Sequence, residues 1–148
     1  MKSNKGVTLI ILIVTVIVLT LLTGVTYFSI TNTIENSHVI QFESYMKMIQ
    51  KGVDIEVEEG QDYTKMGSTL SDTVKEKLQN IIDSDTNVET RSTTSDKLRY
   101  FNSTDIDKYF GVAEVNDEII VNFENREVIS LNGVKNNGVM HYVERGLY

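Results

Sequence analysis

Cysteine and proline are both absent from this chain of 148 residues. Without a thiol there is no disulfide, no cysteine-ligated metal and no thiol nucleophile, so the fold has to hold by packing alone. Positive charge is scarce as well: 14 Lys and Arg face 21 Asp and Glu, a formal net charge of −7, and the basic residues do not cluster. Neutralising a phosphate backbone needs clustered Lys and Arg, which speaks against a general nucleic-acid-binding role. The length leaves room for one domain beyond a membrane segment.

Charge is missing altogether between Lys5 and Glu35. From Val7 to Val25, 14 of 19 residues are Ile, Leu or Val, and the rest are four Thr and Gly24. On insertion scales each such aliphatic residue contributes roughly −0.3 to −0.6 kcal/mol near the bilayer centre, about 4 to 8 kcal/mol together. As a helix the run spans about 28 Å, close to the hydrocarbon thickness of a bilayer, so a membrane helix is expected. Lys2 and Lys5 on its short N-terminal side place that end in the cytoplasm and the rest of the chain outside. The run passes through Thr23-Gly24-Val25-Thr26-Tyr27-Phe28 without the small-residue exit of a secretory signal peptide.

A short Lys-bearing leader ending in Gly6, then Val7-Thr8-Leu9-Ile10 and a long aliphatic stretch, resembles the N-terminal signal of type IV pilins and type II secretion pseudopilins. The resemblance implies cleavage by a prepilin peptidase between Gly6 and Val7, with Val7 becoming the N-methylated terminus and the apolar helix kept. Loss of Lys2 and Lys5 would take the formal charge from −7 to −9. Two features depart from the family. No proline stands near Phe28, where many pilins kink their helix, and Ile11 occupies the place of the family's Glu. In the family that carboxylate pairs with the N-terminal ammonium of a neighbouring subunit. A subunit without it fits a filament tip, or is a diverged member whose amine is satisfied otherwise.

Beyond the aliphatic run, Tyr27, Ile30, Ile34, His38, Phe42, Tyr45, Ile49 and Val53 recur at gaps of three or four, which predicts an amphipathic continuation ending near Gly52. Residues 53–66 read as a loop with a short strand. Ser71 caps a helix carrying Val74, Leu78, Ile81 and Ile82, and 83–97 reads as an exposed loop. A short helix from Thr104 to Gly111 precedes strands at Glu118–Phe123, Glu127–Leu131 and Val139–Val143, the first two joined at Glu124-Asn125-Arg126.

Candidate chemistry is sparse. Asp83-Ser84-Asp85-Thr86-Asn87 opens like a calcium loop, but Val88 and Thr94 replace its Gly and Glu, so a solvated loop is expected and no metal or cofactor is assigned. His38 and His141 have no triad or zinc partners at a readable spacing, and Glu56, Glu58 and Glu59 read as an acidic loop. Asn102-Ser103-Thr104 satisfies the glycosylation sequon without further support. In the aliphatic run Thr8, Leu12, Thr15, Leu19 and Thr23 share a helical face. That face either packs against neighbouring helices, or its hydroxyls bond their own backbone.

The expected fold is α+β and pilin-like: a long N-terminal helix, half transmembrane and half amphipathic, with a small antiparallel sheet laid on it by one face. The expected organisation is a leader at 1–6, a transmembrane helix at 7–29, an amphipathic continuation at 30–53 and an extracytoplasmic head at 54–148. No enzymatic activity is expected. The resemblance implies a minor pilin or pseudopilin, made in the cytoplasmic membrane and displayed on the bacterial surface. Its partners would be other pilin subunits, the prepilin peptidase, the assembly platform and the membrane, without nucleic acid. The alternative is an uncleaved, membrane-anchored binding module.

Overall fold

The computed structural model describes residues 5–147, with side chains described at 8–23 and 33–147. The chain divides into two compact units, Met1–Ser37 and His38–Tyr148. Helix α1 has the bounds Lys5–Glu58, 54 residues, and is the one element of the first unit among the described residues.

The expected fold needs correction at this helix. Among the described residues, no helix is long and apolar enough to cross a membrane. The apolar stretch with described side chains, 8–23, holds 16 residues. The transmembrane half on which the pilin-like fold was drawn is therefore not part of the observed architecture.

In the second unit α1 buries Val39, Phe42, Met46, Ile49 and Val53, alternating gaps of three and four. Ile34 and His38, expected on the buried face, are exposed. The more apolar Val39 and Met46 draw the buried stripe towards themselves and leave Tyr45 at its border. Gly52 does not end the helix. A Cβ there would come within 2.9 Å of the Phe110 ring, so the missing side chain admits Phe110, and α1 continues to Glu58, through the first part of the stretch read as a loop and short strand. Gly60 terminates it at φ 71, with Gly60 N–H donating to Val57 and Gln61 N–H to Glu56. Gly52→Ala should destabilise the second unit by about 1 to 2 kcal/mol, because overpacking outweighs the gain in helix propensity. Urea unfolding followed by circular dichroism would show it.

A 3₁₀ turn at Tyr63–Lys65 leads to α2, Asp72–Ser84, capped by Ser71 and burying Leu78 and Ile81. Strand β1 is Leu98–Phe101. Helix α3, Ser103–Phe110, starts with an Asn102/Asp105 capping box and stops at Gly111 with φ 66. Strands β2, Ile119–Asn122, and β3, Glu127–Ser130, follow, then β4, Val134–Asn136, and β5, Val139–His141. The first three strands form an antiparallel sheet in the order β1-β2-β3, and β4 and β5 form a separate hairpin.

That arrangement corrects the expected sheet twice. β1 was not foreseen, and the strand around Val139 pairs with β4 instead of joining the main sheet. The main sheet is also covered on both faces rather than one. Ile119, Val121, Val128 and Phe101 pack with the α1 residues, while Ile120, Ile129 and Leu98 pack with Leu78 and Ile81 of α2. Because successive strand residues point to opposite faces, the consecutive apolar residues Ile119-Ile120-Val121 need a cover on each side. The second unit is thus a helix–sheet–helix sandwich.

Candidate functional site

The first unit offers one surface with a chemical character of its own. From Leu9 to Leu21 every Ile, Leu and Val is between 48% and 64% exposed. Successive helical residues step around the axis by about 100°, so this collar is apolar on all sides. Thr8, Leu12, Thr15, Leu19 and Thr23 are all exposed on one of its faces. Thr15 Oγ1 donates to the Ile11 carbonyl at 2.7 Å and Thr23 Oγ1 to the Leu19 carbonyl at 2.7 Å. Thr20 Oγ1 likewise donates to Val16 at 2.8 Å. These hydroxyls are satisfied within the helix, so apolar packing does not leave them unpaired. Ile11 is 60% exposed and adds no charge. The expected cleavage junction, Gly6 and Val7, stands within the bounds of α1, but its side chains lie outside the described residues, as does the start of the leader.

The second unit holds three buried carboxylates: Asp117 and Glu127, which sequence reasoning did not single out, and Asp85, which it placed in a solvated loop. Asp117 accepts from Tyr45 Oη at 2.7 Å, Ser130 Oγ at 2.6 Å and the Glu118 N–H at 2.7 Å. Ser130 Oγ in turn accepts from Gly133 N–H at 2.7 Å. Glu127 accepts from the N–H groups of Glu89 and Thr90, each at 2.7 Å, from Thr90 Oγ1 at 2.6 Å and from Arg145 Nη2 at 3.3 Å. Asp85 accepts from Asn87 N–H at 2.9 Å and Tyr142 N–H at 3.1 Å. Each carboxylate ties a loop to the sheet or to the C-terminal segment. The stretch 83–97 is accordingly only partly exposed, with Asp85, Val88 and Thr90 buried. One signal for Glu127 lay in its strand, where alternation sets it on the same face as the apolar Ile129 and Leu131.

These groups are engaged by donors of the fold itself. Ser130 is fully buried and committed to Asp117 and Gly133. His38 is exposed, and Glu58 lies 3.9 Å from Arg126. Asp85, from the calcium-like stretch, has its two carboxylate oxygens taken up by the N–H groups of Asn87 and Tyr142, and among the described residues no group of three His, Asp or Glu could hold a metal ion. Asn102 of the sequon caps α3 through its carbonyl oxygen.

Burial, followed by the charge of Asp117, pushes the Tyr45 phenol well above its usual range. Burial and the hydrogen bond to Glu118, 2.7 Å long, push Tyr100 up to about 12. A raised phenol means that the folded chain keeps a proton the unfolded chain releases. Its stabilising effect is intact below the unfolded value of 10.0 and is lost as pH climbs through the folded one. Stability should therefore be insensitive to these groups up to pH 10 and fall above it. Ultraviolet titration of the seven tyrosines should show two late phenols, one disappearing in Tyr45→Phe and the other in Tyr100→Phe.

Compared with family models, curated proteins and solved structures, the chain matches none.

Proposed function

We propose that the chain is a structural subunit, a minor pilin or pseudopilin, of a type IV pilus-like or type II secretion-like filament, assembled through the N-terminal part of α1. The observation that carries this reading is the collar from Leu9 to Leu21, apolar on every side and exposed throughout. An exposed surface of that extent is an interaction surface. Neighbouring subunit helices cover it in a filament on the cell surface. The sequence from Lys5 to Ile10 supplies the signal for the prepilin peptidase. The sandwich of the second unit, with its buried carboxylates bonded by its own donors, suits a mechanical part better than a catalytic one.

Coexpression with a prepilin peptidase should remove the first six residues and leave Val7 at the N-terminus, as read by intact mass. Gly6→Leu should block the cut by crowding the junction. Retention of Met1 beside a peptidase that processes a control pilin would overturn the assignment in favour of an uncleaved anchored module.

A further inference from the structure

The chain contains two Asn-Gly pairs, Asn132-Gly133 and Asn137-Gly138, and their surroundings differ sharply. At the first, Gly133 N–H donates to the buried Ser130 Oγ at 2.7 Å. Asn132 N–H donates to Asp117 at 3.3 Å and its Nδ2 to the Asn116 carbonyl at 3.4 Å. Asn132 is exposed as well, but an added Cβ at Gly133 would lie 2.8 Å from the His141 carbonyl oxygen, so the backbone that carries the glycine nitrogen is packed and bonded in place. At the second, Asn137 and Gly138 form the two-residue turn between β4 and β5, with φ 51 and φ 83. Both are exposed, and a Cβ at Gly138 would meet nothing within 4 Å. The hairpin behind them has three residue pairs and belongs to no larger sheet. The base of the hairpin is anchored by Val134 in the core and by Asn136 Nδ2 donating to the Leu147 carbonyl at 2.8 Å, whereas its tip is an exposed turn, and exposed turns open locally at low cost.

We infer that Asn137 is a site of self-modification, converting through a cyclic imide to an aspartyl or isoaspartyl residue in the folded protein, while Asn132 is protected. The Gly138 nitrogen, having lost its proton to water or hydroxide, attacks Asn137 Cγ. The new N–Cγ bond forms as the Cγ–Nδ2 bond breaks, and the side-chain nitrogen leaves as ammonia after taking up a proton. Water then opens one of the two imide C–N bonds and leaves a carboxylate either on the side chain or in a β-linked backbone. No oxidant or reductant is needed. Glycine is the permissive second residue because no Cβ crowds the attacking nitrogen. At position 133 the same nitrogen is engaged with Ser130 and its carbonyl neighbours are fixed. Conversion at 137 adds a negative charge to the hairpin tip, and the β-linked product lengthens a turn whose two residues set the pairing Asn136↔Val139.

The test uses the full chain in detergent micelles, held at mildly alkaline pH in water enriched in heavy oxygen and mapped by peptide mass spectrometry over time. In the native protein, labelled acid at position 137 should accumulate about tenfold faster than at 132, or more, reflecting the difference in local opening. In guanidinium that difference should collapse, because both pairs then sit in an unconstrained chain. Asn137→Gln should abolish the native-state label in its peptide and leave the 132 peptide unchanged. Equal conversion of the two pairs in the native state, faster conversion at 132, or conversion at 137 only after unfolding would each overturn the inference.

Discussion

Glu127→Ala should cost the second unit on the order of 3 to 5 kcal/mol, enough to remove a large part of a stability that is typically 5 to 15 kcal/mol. The Glu127 side chain is 2% exposed, and two of its donors belong to Thr90, itself buried at 3%. Truncation leaves the Thr90 N–H and hydroxyl pointing into the space it vacates. It also loosens Asn122 Nδ2, which donates to Thr90 Oγ1 at 3.0 Å. Hydrogen bonds to a charged acceptor contribute about 1.5 to 3 kcal/mol each, and each orphaned buried donor adds a desolvation penalty.

The partner substitution separates this account from a simple ion-pair one. Arg145 reaches both Glu89 and Glu127, but its side chain is 55% exposed, and exposed pairs contribute about 1 kcal/mol or less. Arg145→Ala should therefore lower stability by about 1 kcal/mol or less. Glu127→Gln should fall between the two, since both carboxylate oxygens receive N–H donors and an amide must set its own NH₂ against one of them. Urea unfolding at neutral pH orders the three variants. A larger loss in Arg145→Ala than in Glu127→Ala would show that the ion pair, and not the loop anchoring, holds this corner.

The contrast between Glu127 and the elements around it shows what the sequence made readable. α2 and α3 announced themselves through Ser71 and Gly111, because a cap is a local contract between residues three or four apart, although the cap at Asn102 was read only as part of a sequon. The consecutive apolar residues of β2 and β3 were equally local. Their second cover was missed because nothing in a one-dimensional pattern says that α2 lies on the far side of the sheet. Gly52 misled for a related reason: its role is set by Phe110, from a different helix. β1 could not be read from Leu98-Arg99-Tyr100-Phe101 alone, since its partners are the residues of β2. The anchors of Glu127 lie 37 and 38 residues away along the chain. The apolar collar, by contrast, was legible residue by residue, because its character is compositional. Its expected reach across a bilayer is not found among the described residues.

The substitution with the largest expected effect on assembly is Ile11→Glu. In the proposed filament each processed subunit brings an N-terminal ammonium into the zone where collars pack against one another. The pilin resemblance implies that a carboxylate five residues after Gly6 neutralises that amine on a neighbour. Ile11, 60% exposed on the isolated collar, offers only an aliphatic surface. Stacking many such subunits would repeat an unpaired charge in apolar packing, at a cost of up to several kcal/mol each. A subunit at one end meets that cost once or not at all. The natural chain should thus be scarce in filaments, confined to one end, and unable to polymerise alone. Ile11→Glu should raise its share of the shaft by about tenfold or more, since each 1.4 kcal/mol recovered is a factor of ten in the binding equilibrium. Immunogold labelling and subunit stoichiometry of purified filaments read both effects. Uniform labelling of the shaft by the natural chain, or an unchanged share for Ile11→Glu, would show that the amine is neutralised by some other group and that Ile11 does not set the subunit's place.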